Sequence, residues 1–480
     1  MIMKLCLFIN LLFFSVFLHA IQVNSAPKLC LSLCEAEKIA LKNNQQIKAT
    51  EQLLQKAREG NLESFSKWFP ELQASSDAYR TQFNQQPILN SRALFLTQLT
   101  LTQSIFSLER YYNVKISELY VQQLSLLLQA AQNDTLLQVR EAYYQVILDQ
   151  DNIATAKEKV ELLRQLAIQM EGKYRIGEAI LYNVNQSKVA VANAMTFYYQ
   201  TLKQFKIDID VLVRVLGYDP GTLCVDLEER EIPIYSIPLI ACKLHSVEQV
   251  ININGGQEDQ FIFQPGFPEI EERRMYRLFS SEEMFSWEQI ANEKRPDIRL
   301  GRNFISIAKE QIRNQQAEYY PTVDLIGNYG GFPTPYVPYP RNVFFEQSFG
   351  WGIGLELNWL LFDSFGREYR VSQAKSQERA TAFNYQKTVF DAHGDVRSQI
   401  YQIEEAVASY VTARANVLLA EQLLIEAKQQ MDIGYITVFD YQISVDALIQ
   451  ARNTRDTADF NLIVAYYSLR HASGIDVNCY

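Results

Sequence analysis

The sequence predicts a mainly α-helical chain with a transmembrane β-barrel contribution: two structural repeats, each a long coiled-coil helical hairpin preceded by two strands. Three observations predict this class. The chain is internally duplicated, each half holds very long stretches free of Gly and Pro, and the hydrophobic period changes to two ahead of each such stretch. The duplication is read from matched positions. Ile47 aligns with Ile298 and Pro70 with Pro321 at an offset of 251, and Phe106 aligns with Phe362. An offset of 257 then relates Val114 to Val371, Asp134 to Asp391, Arg140 to Arg397, Tyr144 to Tyr401, Gly177 to Gly434 and Gly217 to Gly474. An ungapped match of that length means that both halves build one supersecondary unit.

The elements follow in chain order. Lys4 precedes an apolar run from Leu5 to Leu18, too short to span a bilayer, and the small residues around Ser25 follow it. This predicts a secretory signal peptide over residues 1–25. The first repeat is expected over 26–217, with strands about 70–83 and 92–106 and a helical hairpin over 107–216. In 99–105, Leu99, Leu101 and Ile105 alternate with Thr100, Thr102 and Ser104, so one face is apolar and the other polar. Residues 107–171 hold neither Gly nor Pro and as one helix would run about 98 Å. A seam of Ile153, Ala156, Val160, Leu163, Ala167, Met170 and Tyr174 spaces apolar residues as in a coiled coil. Gly177 ends the outgoing helix, because glycine accepts the left-handed conformation past a helix terminus.

Residues 218–285 match nothing in the other half and read as a mixed linker or insertion. The second repeat is expected over 286–474, with strands about 321–332 and 349–362 and a helical hairpin over 366–473. Trp351, Ile353, Leu355, Leu357, Trp359 and Leu361 form its apolar strand stripe, and Trp351 and Trp359 are placed like interfacial aromatics. Its seam runs Tyr410, Ala413, Val417, Ala420, Leu424, Ala427, Met431, and Gly434 stops the helix. The loops 84–91 and 333–348 read as exposed ribbon tips, and 475–480 as a C-terminal tail. Four strands with an apolar face cannot close a barrel, so the strands must be shared with other copies.

Composition and motifs exclude several classes. With 45 Lys+Arg against 55 Asp+Glu the net charge is −10, which offers no overall basic field to nucleic acid. There is no G-x-x-x-x-G-K-[ST], H-E-x-x-H or G-x-S-x-G motif, and the histidines 19, 245, 393 and 471 are scattered. No catalytic activity, metal or cofactor is expected. Five cysteines follow the signal segment, with Cys30–Cys34 and Cys224–Cys242 as possible pairs and the connectivity open.

Four segments carry a resemblance. RPDIRLGRNFISIAKEQIRNQQAEYYPTVDLIGNYG (295–330), GLELNWLLFDSFGREYRVSQAK (354–375), YRIGEAILYNV (174–184) and MDIGYITVFDY (431–441) resemble the TolC family of outer-membrane efflux proteins. The resemblance implies a homotrimer whose strands close a 12-stranded β-barrel in outer-membrane lipid and whose helices form a long periplasmic α-barrel. It implies an exit duct for efflux or type I secretion, working with a periplasmic adaptor and an inner-membrane transporter. It makes Asp440 a pore-constriction candidate, although Thr437-x-x-Asp440 also reads as a helix capping box. Arg175, Gly177, Asp432 and Gly434 become adaptor-contact candidates at the hairpin tips. The chain departs from the family pattern with Ile443, Asn183, Met431 and Ile436 where polar or acidic gate residues occur. The competing reading is an exported coiled-coil scaffold without a pore.

Overall fold

The computed structural model describes residues 28–82, 91–221, 224–227, 232–234, 237–241, 243–244, 278–332 and 348–475. The expected signal peptide, most of the two ribbon-tip loops and residues 476–480 lie outside them. The first half runs β1 (Lys28–Leu31), α1 (Leu33–Asn43), α2 (Gln45–Ser66), β2 (Glu71–Gln82), β3 (Ser91–Phe106), α3 (Leu108–Arg175) and α4 (Leu181–Val215). After β4 (Cys224–Leu227), the second half repeats the pattern. It comprises α5 (Ser281–Lys294), α6 (Pro296–Ala317), β5 (Thr322–Phe332), β6 (Ser348–Asn358), α7 (Gly366–Asp432) and α8 (Val438–Ala472). Helix α5 crosses the boundary expected at residue 285, because a capping box between Ser280 and Glu283 starts it earlier.

The outgoing helices α3 and α7 have 68 and 67 residues, each about 100 Å long. Both end in the same turn. Gly177 (φ 82) and Gly434 (φ 84) are left-handed, and Glu178 N–H and Tyr435 N–H reach back to the carbonyls of Lys173 and Gln430 at 2.8 Å. Each return helix ends in a second such turn at Gly217 and Gly474, where glycine has a further reason. A Cβ on Gly217 would lie 2.4 Å from the Asn43 carbonyl oxygen, and one on Gly474 2.7 Å from the Arg295 amide. The duplication even conserves which carbonyl is capped: Asn44 donates to Val215 O at 3.0 Å, and Arg295, its counterpart, donates to Ala472 O at 3.3 Å.

The seams are buried where the hairpins pack together. Ala156, Leu163 and Met170 of α3, and Tyr410, Ala413, Val417, Ala420, Ala427 and Met431 of α7, are buried, while Tyr174 at the tip is exposed. The main core lies at the other end of the hairpins. There Tyr143, Tyr144 and Ile147 of α3 meet Val396, Ile400 and Tyr410 of α7 and Leu462 and Leu469 of α8. The unmatched segment joins this core through Ile234, Ile237, Ile240 and Leu244, and β4 pairs in parallel with β1. Cys34 is disulfide-bonded.

The other strands form one antiparallel sheet in the order β2-β3-β5-β6, so the central pairing joins the two halves. The sheet is open, and β2 and β6 are its edges among the described residues. Strand β6 ends at Asn358, short of the expected 362. From Trp359 the chain leaves the ladder: the Trp359 indole donates to Tyr319 O at 3.1 Å, and Ser364 and Phe365 take left-handed conformations.

Candidate functional site: an open sheet and paired hairpin tips

Pairing registers define the two faces of the sheet. Leu72 and Ala74 of β2, Leu99 and Leu101 of β3, Val323 and Leu325 of β5, and Ile353, Leu355 and Leu357 of β6 fall on one face. Leu72, Ile353, Leu355 and Leu357 are each more than 60% exposed there. The opposite face carries Gln73, Gln98, Thr100, Thr102, Asn328 and Glu356, and Gln98 donates to Asn328 at 3.0 Å across it. Strands of 11 to 16 residues are long enough to cross a hydrocarbon core when tilted. A bare apolar face opposite a polar one is the pattern of a barrel wall, with lipid outside and water inside.

At the far end of the hairpins, the two tips share a small core of Leu163, Leu166, Met170, Val184, Met431, Val438 and Tyr441. Beside it lies an open cleft of about 800 Å³, lined by Met170, Lys173, Tyr182, Met431, Asp432 and Phe439 among others. Asp432 ties the tips together: Gln169 donates to its Oδ1 at 2.6 Å, and Lys173 Nζ stands 3.8 Å away. Arg175 is exposed and pairs with Glu171 on its own helix at 3.1 Å. The structure thus brings Asp432 into a contact between hairpins, and leaves Arg175 at the surface.

Asp440 sits in the first turn of α8 in a complete capping box. Thr437 Oγ1 accepts from the Asp440 N–H at 3.2 Å, and the Asp440 carboxylate accepts from Thr437 N–H at 2.8 Å and Thr437 Oγ1 at 2.7 Å. Those hydrogen bonds from Thr437 hold its pKa below the ordinary aspartate value, so the exposed carboxylate is ionised at neutral pH. Of the departures from the family pattern, Met431 belongs to the tip core and Ile443 is exposed.

A family model of outer membrane efflux proteins matches residues 38–218 and 287–474. The chain belongs to that family. The gap between the matched stretches is the segment without a counterpart in the duplication. No curated protein matches this efflux protein at the level of sequence. Its fold is similar to solved outer-membrane channels. The Campylobacter jejuni CmeC outer membrane channel is 16% identical over 93% of this chain and 87% of its own, with a TM-score of 0.68. The outer membrane protein VceC from Vibrio cholerae is 16% identical over 92% and 96%, with a TM-score of 0.67. The open state of the Neisseria gonorrhoeae MtrE outer membrane channel is 14% identical over 92% and 89%, with a TM-score of 0.64.

The sequence missed Gln169 and Lys173, which hold Asp432 from the other hairpin. The missing signal is distance along the chain, since 263 residues separate Gln169 from Asp432. Both seams reach the tip core: Met170, the last but one position of the first seam, and Met431, the last of the second, belong to one cluster.

Proposed function

We propose that three copies of this efflux protein close a common barrel from their four-stranded sheets and continue it as a helical tube, giving a passive exit duct through the outer membrane. The observation that carries this reading is the open sheet with one apolar face and, among the described residues, two unpaired edges. A backbone edge in lipid leaves amides and carbonyls without partners, so the sheet is complete only when other copies supply the missing strands. The two repeats with their strands, hairpins and the intervening segment are the units of this design.

At the periplasmic end, the hairpin tips meet an adaptor that links the duct to an inner-membrane transporter, in efflux or type I secretion. Arg175 and Asp432 beside the glycine turns at Gly177 and Gly434 are the proposed contact residues. Asp440 is proposed to ring the constriction. Three ionised carboxylates around a narrow pore concentrate cations and repel anions. The capping box supports a fixed placement of each carboxylate.

Conductance of the purified protein in a planar bilayer tests the duct: discrete single-channel steps are expected, and an electrically silent protein that inserts as trimers would refute it. Asp440→Asn is expected to shift the reversal potential toward zero under a salt gradient, with trimer assembly unchanged. Identical potentials for variant and parent would remove Asp440 from the constriction.

A further inference from the structure

The first hairpin holds a pair of carboxyl groups that a passive duct does not require. Asp149 of α3 is 3% exposed and follows the buried run Val146, Ile147 and Leu148. Across the hairpin it comes within hydrogen-bond reach of Asp208 on α4. Each aspartate is steadied by a glutamine four residues earlier on its own helix: Gln145 Nε2 donates to Asp149 Oδ1 at 3.3 Å, and Gln204 Nε2 donates to Asp208 Oδ2 at 2.9 Å. Asp149 Oδ2 is buried with no donor facing it. A buried acceptor in that state is costly, and two carboxylates cannot relieve each other while both are ionised. One proton between them makes the missing hydrogen bond.

The neighbouring charges are engaged elsewhere. Tyr144 of α3 stacks on Tyr467 of α8, and Glu158 of α3 pairs with Arg452 of α8, so Asp149 lies level with the stretch of α8 between those two residues. That stretch carries Arg455, Asp456 and Asp459, and Arg414 of α7 reaches Asp459; these four act on one another. Lys206 and Asp210 on α4 are exposed. The two return helices are also held differently. Helix α8 packs on both α7 and α3 and is tied to α3 by Asp446 with Lys159 at 2.8 Å and by Arg452 with Glu158. Helix α4 packs chiefly on α3, and its ion pair to it, Lys188 with Glu171 at 3.8 Å, lies toward the tip. Whatever passes between Asp149 and Asp208 is therefore felt by α4.

We propose that Asp149 and Asp208 form a proton-operated joint in the first hairpin: with one proton between them they clamp α4 to α3, and when that proton leaves to water their repulsion loosens the return helix, ~40 Å from the tip. The joint belongs to the hairpin itself and holds whether or not the strands close a shared barrel. Burial and Asp208 raise the Asp149 carboxyl to about 7. In the loosened hairpin it returns to the ordinary aspartate value of ~4, so the clamp is at full strength below that pH and weakens as pH rises through 7. Between pH 6 and pH 8 the closing equilibrium should fall about tenfold.

Hydrogen exchange of the full-length protein, read by mass spectrometry at pH 6 and pH 8 with exchange times scaled to the intrinsic amide rate, tests the joint. Peptides over 143–155 and 202–213 should lose about tenfold in protection at pH 8. Those over 400–412 and 457–470 should change only about twofold, the share of Asp459 with its carboxyl at about 6. Asp149→Asn and Asp208→Asn each leave one carboxylate beside a neutral amide, and either should keep the first hairpin protected at both pH values. A parent whose first hairpin is equally protected at pH 6 and pH 8, or an Asp149→Asn variant that loses as much as the parent, would overturn the joint. Infrared spectroscopy reads the proton itself: the carbonyl stretch of a protonated carboxyl should fade around pH 7 in the parent, and that component should be missing from Asp149→Asn. Identical infrared titrations of parent and variant would place the proton elsewhere and overturn the joint as well. Protection regained at pH 8 on adding magnesium chloride would make the pair a cation site in place of a proton joint.

Discussion

The two halves of the molecule share a backbone plan and differ in what covers it. Each pairs an arginine on its outgoing helix with a glutamate from the first helix of its repeat, α1 or α5: Arg140 with Glu37 at 2.7 Å and Arg397 with Glu288 at 2.6 Å. In the first half both side chains are buried, Arg140 lies over the Tyr467 ring, and Tyr144 stacks on Tyr467. In the second half Arg397 is 58% exposed, and Tyr401, the counterpart of Tyr144, is exposed as well. A second contrast lies between the paired helices. Asp149 and Asp208 face each other in the first hairpin, where the second has Ala406 and Ala465. Duplication has kept the groups that satisfy helix ends and let the surroundings of each half diverge.

That comparison can be broken most forcefully at the arginine–glutamate pairs. Glu37→Ala removes the carboxylate that the buried Arg140 Nε donates to and should destabilise the chain, by up to about 3–5 kcal/mol. Glu288→Ala leaves Arg397 in water and should lower stability far less. Urea unfolding followed by helical circular dichroism measures both, and equal losses would show that burial does not distinguish the pairs.

The glycine turns sharpen the contrast between the two ends of each hairpin. At the tips nothing lies within 4 Å of a Cβ placed on Gly177 or Gly434, so alanine there meets only the left-handed penalty, about 1–2 kcal/mol. Gly217→Ala and Gly474→Ala add a collision with the Asn43 carbonyl or the Arg295 backbone and should cost more than the tip variants in the same unfolding measurement.

The acidic pair predicts a pH response that its counterparts in the second hairpin, Ala406 and Ala465, cannot give. Burial, followed by the neighbouring Asp208, pushes the Asp149 carboxyl up to about 7. Among the described residues, Asp208 on α4 and Gln145 on α3 are the groups that act on it. Its folded pKa lies above the unfolded value, so the folded chain holds a proton that the unfolded chain releases. The contribution is therefore full below about pH 4 and is lost as pH rises toward 7 and beyond. Asp149→Asn should flatten the fall in unfolding midpoint between pH 5 and pH 8, and a slope equal to the parent's would assign the effect elsewhere. Asp459, raised to about 6 by burial, and Glu141, also raised by burial, contribute to the slope that remains.

Much of this was legible in the sequence because it is written in neighbours a few residues apart. The stops at Gly177 and Gly434, the seams and the alternation along β6 follow from helix and strand periods. The early end of β6 was not legible, since Trp359 and Leu361 keep the alternation while their partners lie elsewhere: the Trp359 indole donates to Tyr319 O and Leu361 O accepts from Arg367. The roles of Asp432 and Asp149 were not legible either, because each depends on a side chain from another helix.

By itself the sequence determined two copies of a ribbon and a long hairpin, and an apolar sheet face that must be covered, because period, helix termination and alternation are local properties of the chain. Only the tertiary structure decided which arginine–glutamate pair is buried and which aspartate keeps its proton. Both depend on desolvation, and desolvation is set by what packs on a residue from tens to hundreds of positions away, as Asp208 does on Asp149 and Tyr467 on Arg140.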